Sequence, residues 1–236
     1  MEFMLKAFAV LPLLDWVAVV VFFAGWSGYV TFALKRGRTH MSILSTTNRI
    51  RRDWMMQSTY REVRVVDGVV IQNLSTSPSF FASTTILIIG GLLAVLGTTE
   101  KATELVKEIP FAARTSVMVF DLKTALLLVI FVYAFFRFTW SMRQYTFGAL
   151  LVASAPEASQ FEKHGLSREA FADRAGRVVG LAAETFNDGL RAYYFSFAAL
   201  AWFISPLACM LATAGVAYVL YQREFRSDML EILNSP

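Results

Sequence analysis

Imidazole, thiolate and paired carboxylates are the side chains that most often hold metals or move protons, and this chain has almost none where they could act. Its 236 residues include two histidines and one cysteine. His40 and His164 each sit in a polar stretch with no ligand-type neighbour at metal spacing, so no metal site is expected. Cys209 lies inside an apolar run and can form no intrachain disulfide, which leaves it a small buried hydrophobe. No Gly-x-Ser-x-Gly, phosphate-binding loop or dinucleotide fingerprint occurs, no intramembrane histidine could hold haem, and no apolar run contains two carboxylates. No catalytic residue and no cofactor is expected, and the chain reads as a non-enzyme.

Arginine is what remains. Asn48, Arg49, Arg51, Arg52 and Asp53, followed by Arg61 and Arg64, precede one long apolar run. Arg137, Arg143 and Gln144 close another, and Arg191 opens a third. Arg137, Ser141 and Gln144 share a helical face at spacing i, i+4, i+7. If these groups converge, with Arg61, Arg64 and Arg191, they form a polar ring able to hold lipid headgroups or filter anions. The alternative is that they satisfy the positive-inside bias and pair locally with Glu62, Asp67, Glu184 or Asp188.

The elements that must carry these residues are helices, most of them apolar. With 56% hydrophobic and 17% charged residues, the chain falls well below the charge content of soluble domains and reads as one integral membrane domain, 1–236. Four spans are expected, about 11–34, 79–98, 117–137 and 193–221. In the first, Asp15 and Trp16 read as an edge anchor, and the basic cluster after the run argues for an uncleaved segment. In the second, Ser79, Ser83, Gly90, Ala94 and Gly97 fall close to one face that invites another helix to approach. The third is short of uncharged residues and must take in Asp121, Lys123 and Arg137, with Lys123 snorkelling outward. The fourth carries Pro206 in its middle, where the missing N–H should kink it.

Two polar segments complete the plan. From 43 to 76 the steps of three and four that link Met56, Tyr60, Val63, Val66, Val70 and Leu74 describe an amphipathic helix. From 167 to 190, Phe171, Ala175, Val178, Ala182, Phe186 and Leu190 describe another, with Ser167 as its N-cap. Both are expected at the membrane interface or on the cytoplasmic end of the bundle. The stretch from Glu100 to Arg114 reads as a solvated loop. The fold class expected is therefore all-α: a bundle of four transmembrane helices with two cytoplasmic or interfacial amphipathic helices.

Segment 35–77 carries eight Lys and Arg, and segment 137–191 carries seven. The positive-inside rule makes both cytoplasmic and places both termini outside. The basic excess then points to anionic lipid at the cytoplasmic face and not to nucleic acid.

Several stretches carry a family resemblance. Asn73-Leu74, Pro78-Ser79-Phe80-Phe81-Ala82-Ser83-Thr84, Leu87-Ile88-Ile89-Gly90-Gly91-Leu92-Leu93, Trp140-Ser141-Met142-Arg143-Gln144 and Gly189-Leu190-Arg191-Ala192-Tyr193-Tyr194-Phe195 resemble the membrane family called domain of unknown function 599, over nearly the whole chain. The resemblance implies a polytopic membrane protein of bacterial or plant type, here in a bacterial inner membrane, and supplies no activity and no functional residue. Two functions fit. One is a self-associating helical assembly, a homo-oligomer joined through the small-residue face, that binds or passes a small solute or ion. The other is a non-conducting accessory or scaffold subunit of a larger membrane complex. An aqueous path should gather Arg137, Ser141, Gln144 or Arg191 around one cavity, whereas a scaffold should bury them in local pairs.

Overall fold

Apolar runs of this length leave the backbone no partners but its own, so they fold as helices, and among the described residues every regular element is one. The computed structural model describes residues 11–99, 116–163 and 165–235. The loop expected over Glu100–Arg114, and His164, lie outside them. In order come α1 (Leu13–Thr39), α2 (Ile43–Ser58), α3 (Val65–Gly97), α4 (Val117–Ala153), α5 (Ala158–Lys163), α6 (Arg168–Ala201), α7 (Pro206–Phe225) and α8 (Asp228–Asn234). Three of them, α1, α3 and α4, are long and apolar enough to cross a membrane.

The chain divides into two bodies. The first takes residues 1–36, 85–134 and 190–222, and the second takes 37–84, 135–189 and 223–236, so α3, α4 and α6 each supply a segment to both.

The first body is organised by aromatic contacts along α1. Phe22 and Trp26 meet Phe195 of α6, with centroids 6.1 and 5.7 Å away, and the Arg191 guanidinium lies 5.9 Å from the Tyr29 ring. Residue numbers rise on α1 as they fall on α6, so these helices are antiparallel. Against α7 the numbers rise together: a Cβ on Gly25 would stand 2.6 Å from Thr213 Cγ2, and Phe32 meets Tyr221 at 6.1 Å. Helix α7 therefore runs back along α6.

That reversal corrects the fourth span. Residues 193–221 do not form one helix kinked at Pro206. Helix α6 ends at Ala201, the chain turns through Trp202–Ser205, and α7 begins at Pro206. The Ser205 hydroxyl accepts from the Ala208 N–H at 3.0 Å, and Pro206 occupies the first helical position, where a missing N–H costs nothing. Ser-Pro here starts a helix; it does not bend one.

The second body corrects both amphipathic segments. Helix α2 opens with a Ser42/Ser45 capping box and stops at Ser58. The hydroxyls of Ser58 and Thr59 turn back to the Met55 and Met56 carbonyls, the chain leaves helical form up to Arg64, and α3 starts at Val65. The stretch 43–76 is thus two helices. The 167–190 segment starts as expected, with Ser167 Oγ accepting from the Ala170 N–H at 3.0 Å, but it is the first part of the longer α6 and packs between two neighbours. On one side, Cβ atoms on Gly176 and Gly180 would stand 3.0 Å from Arg52 Cα and 2.9 Å from Asn48 Oδ1 of α2. On the other, Gly148 of α4 faces Val179, and Ser141 Oγ donates to the Ala182 carbonyl at 2.7 Å. The core beneath includes Met55, Ile71, Tyr145, Val152, Phe161, Phe171, Ala175 and Val179.

The C-terminal tail belongs to this body. Glu224 accepts from the Leu44 N–H at 3.1 Å, and Asn234 on α8 accepts from Arg49 at 3.0 Å and pairs with Thr46. A tail packed on α2 cannot lie across the membrane from it, so the expected placement of the C terminus opposite segment 35–77 does not hold.

Candidate functional site

The first body contains a charged group that the edge-anchor and snorkelling expectations misplaced. Lys123, one turn into α4, is 1% exposed and points inward. Its ammonium donates to the Trp202 carbonyl at 2.8 Å, one of the carbonyls freed where α6 ends. It also lies 5.2 Å from the centroid of the Trp202 ring. Trp202 Nε1 donates to Asp15 Oδ1 at 2.7 Å, and that oxygen is 4.0 Å from the ammonium. One lysine, one aspartate and one tryptophan thus fasten the start of α1, the start of α4 and the α6–α7 turn. Beside them Thr99 donates to Asp121 at 2.8 Å. The sequence signal was available, since a charge within an apolar helix calls for a buried partner.

The second body disposes of the arginines one by one. Arg61 pairs with buried Asp67, which also accepts from Trp54 Nε1. Arg64 donates to the carbonyls of Ser58, Ala155 and Pro156, closing the end of α2 onto the loop after α4. Arg168, which sequence reasoning passed over, is its counterpart. It donates to the carbonyls of Thr59 and Ala158, and its guanidinium lies over Tyr60 and Phe161 at 4.4 and 4.9 Å. Arg137 is ion-paired with Asp188. Ser141 bonds to the α6 backbone as described, and Gln144 is 4% exposed with its Oε1 unmatched among the described residues. In the first body Arg191 is 6% exposed beneath Tyr29. None of Arg61, Arg64, Arg137, Ser141, Gln144 or Arg191 lines the open groove beside the crossing of α2 and α6.

The small-residue face points away from the chain's own packing. Ser83, Gly90, Ala94 and Gly97 are exposed, Ser79 is half-buried, and a Cβ on Gly90 or Gly97 would meet nothing within 4 Å. Among the described residues the glycines pressed against a neighbouring helix include Gly25, Gly148, Gly176, Gly180 and Gly189 instead. Gly176 and Gly180 stand four residues apart, a small-residue spacing legible in the sequence. They bring α2 so close to α6 that Asn48 reaches Glu184 at 2.9 Å, while Arg51 donates to Asn48 and Thr47 at 2.8 and 3.0 Å. Burial pushes the Arg51 pKa down, opposed by the charges of Tyr145 and Glu184. Beside this crossing lies an open groove of about 660 Å³, lined by Arg52, Asp173, Arg174, Arg177, Leu181 and Glu184 among others.

Chemically, the arrangement offers paired charges, backbone clamps and a charged groove. The described residues contain no group of three metal-ligating side chains. No curated protein and no solved structure matches the chain. The family model described as "Protein of unknown function, DUF599" matches residues 17–229, nearly the whole length, and with three apolar helices of membrane-crossing length the chain belongs to that family.

Proposed function

We propose that this protein is a non-conducting membrane scaffold, an accessory subunit whose first body anchors it in the bilayer and whose second body offers a water-facing helical surface to other molecules. One observation carries this reading: most of the polar residues an aqueous path would need are engaged locally. Arg61 is tied to Asp67, Arg137 to Asp188 and Ser141 to the Ala182 carbonyl, while Arg64 clamps three carbonyls. A residue satisfied by a fixed neighbour has little left for a passing ion.

The charge pattern supports an orientation. The second body holds the basic segments, so it belongs on the cytoplasmic side, with the C-terminal tail beside α2. Helix α7, at 20 residues, is about 30 Å long, the thickness of the hydrocarbon core.

Flux measurements test the proposal. Purified protein in liposomes should give chloride, potassium and proton fluxes no greater than protein-free vesicles, and Asp188→Asn should lower stability without opening a leak. A saturable flux reduced by Arg137→Ala would overturn the scaffold reading in favour of a conducting one.

A further inference from the structure

The groove between α2 and α6 in the second body has more positive charge than its own carboxylates neutralise. Asp173 faces two arginines, with Arg52 Nε 3.3 Å from Oδ1 and Arg177 Nη1 3.8 Å from Oδ2. Both guanidiniums are therefore drawn toward one carboxylate, and both are more than half exposed. Arg174, on the same stretch of α6 and also exposed, forms no ion pair with a described carboxylate. The groove's other acid, Glu184, is engaged by the Asn48 amide, with the Arg51 guanidinium bonded to Asn48 behind it. Three arginines on the walls and a fourth at the back face two carboxylates.

We propose that this groove binds a phosphate group, with Arg174 and Arg177 as its principal contacts and Arg52 as the third. The argument is chemical. A guanidinium presents a planar fork of donors that matches a phosphate's oxygens, and several converging on one anion are stronger than any one alone. The ion pairs already present are solvated, and exposed pairs of that kind contribute little, so turning Arg52 and Arg177 from Asp173 to a dianion costs little. The groove is open and about 660 Å³, roomy enough for a phosphate with a substituent. The exposed side chain of Leu181 and the half-buried Val178 form an apolar margin where an organic substituent can rest. The phosphate can come from a lipid headgroup or from a soluble phosphate monoester. This inference goes beyond the scaffold reading and does not depend on it, since a conducting protein could carry the same groove.

Calorimetry on the full-length protein in phosphatidylcholine nanodiscs tests it, with inorganic phosphate and short-chain dihexanoyl phosphatidic acid as separate probes. Saturable binding is expected that weakens as salt rises. The Arg174→Ala, Arg177→Ala double variant should weaken it by about tenfold or more, as expected for lost hydrogen bonds to a charged group. Asp173→Asn, which removes the competing carboxylate, should tighten it. Arg143→Ala, an exposed arginine outside the groove, should leave it unchanged. Similar affinity for both probes identifies a soluble phosphate, and binding of the lipid probe alone identifies a headgroup. The proposal is overturned if neither probe saturates, or if the double variant binds as the wild type does.

Discussion

Lys123 sits where a long cationic side chain is most costly unless its charge is matched, and the match is made by Asp15 and a carbonyl that the end of α6 leaves free. Replacing it with methionine keeps much of the stem's bulk but leaves the buried Asp15 with Trp202 as its only remaining described partner. Lys123→Met should therefore cost about 3–5 kcal/mol, the usual penalty for breaking a buried pair from one side. The Asp15→Asn, Lys123→Met double variant should recover part of that loss. Denaturant melts of the wild type, Lys123→Met, Asp15→Asn and the double variant in one detergent check this, and additive losses would mean that the pair is not coupled. The individual charges were legible in the sequence but their partnership was not. Asp15 and Lys123 are far apart in the chain, and no periodicity links a residue at the start of one helix to one near the start of another. The pairing of arginines with Asp67 and Asp188 was more accessible, because positive charge near acidic residues always admits that outcome.

At the scale of elements, glycine does opposite things in α3 and α6. In α6, Gly176 and Gly180 are pressed against α2, with the nearest atom to a Cβ on Gly176 belonging to the Arg52 backbone, which cannot swing aside. Gly176→Ala and Gly180→Ala should each destabilise the second body by about 1–3 kcal/mol, the range for overpacking a close contact. Gly180→Ala should also disturb the Asn48 bridge to Glu184. In α3, Gly90→Ala meets open space and should leave the thermal midpoint unchanged or slightly raised, since alanine suits a helix interior better than glycine. Melting curves of the three variants decide the matter, and a large loss at Gly90 would show that its face is covered. Only the α3 set was expected to make contacts, although Gly176 and Gly180 show the same small-residue spacing, and only the position of neighbouring helices separates the two. The same limit explains α7. A hydropathy profile passes smoothly through Trp202–Pro206, and only the Ser205 cap distinguishes the start of a new helix from a bend.

For the whole molecule, the class and the family were legible because they rest on totals and on long uncharged runs, which tertiary detail does not alter. The path of the chain was less so. Whether 193–221 passes once or doubles back changes the side on which the tail ends, and a charge count over loops cannot detect a reversal whose turn contains no charge. Labelling tests the path. In a Cys209→Ala background, single cysteines introduced by Asp53→Cys and Ser235→Cys should react with an impermeant maleimide from the same side of the membrane. Reaction from opposite sides would contradict the packing of α8 on α2.

That packing orders events during synthesis. Helix α2 is made well before α8, so Thr46 and Arg49 find Asn234 only after the 188 and 185 positions that separate each pair have been synthesised. The face of α2 that α8 covers therefore stays open until α8 has been made. A chain interrupted before Asn234 keeps the helices that precede α8 but leaves that face of α2 open.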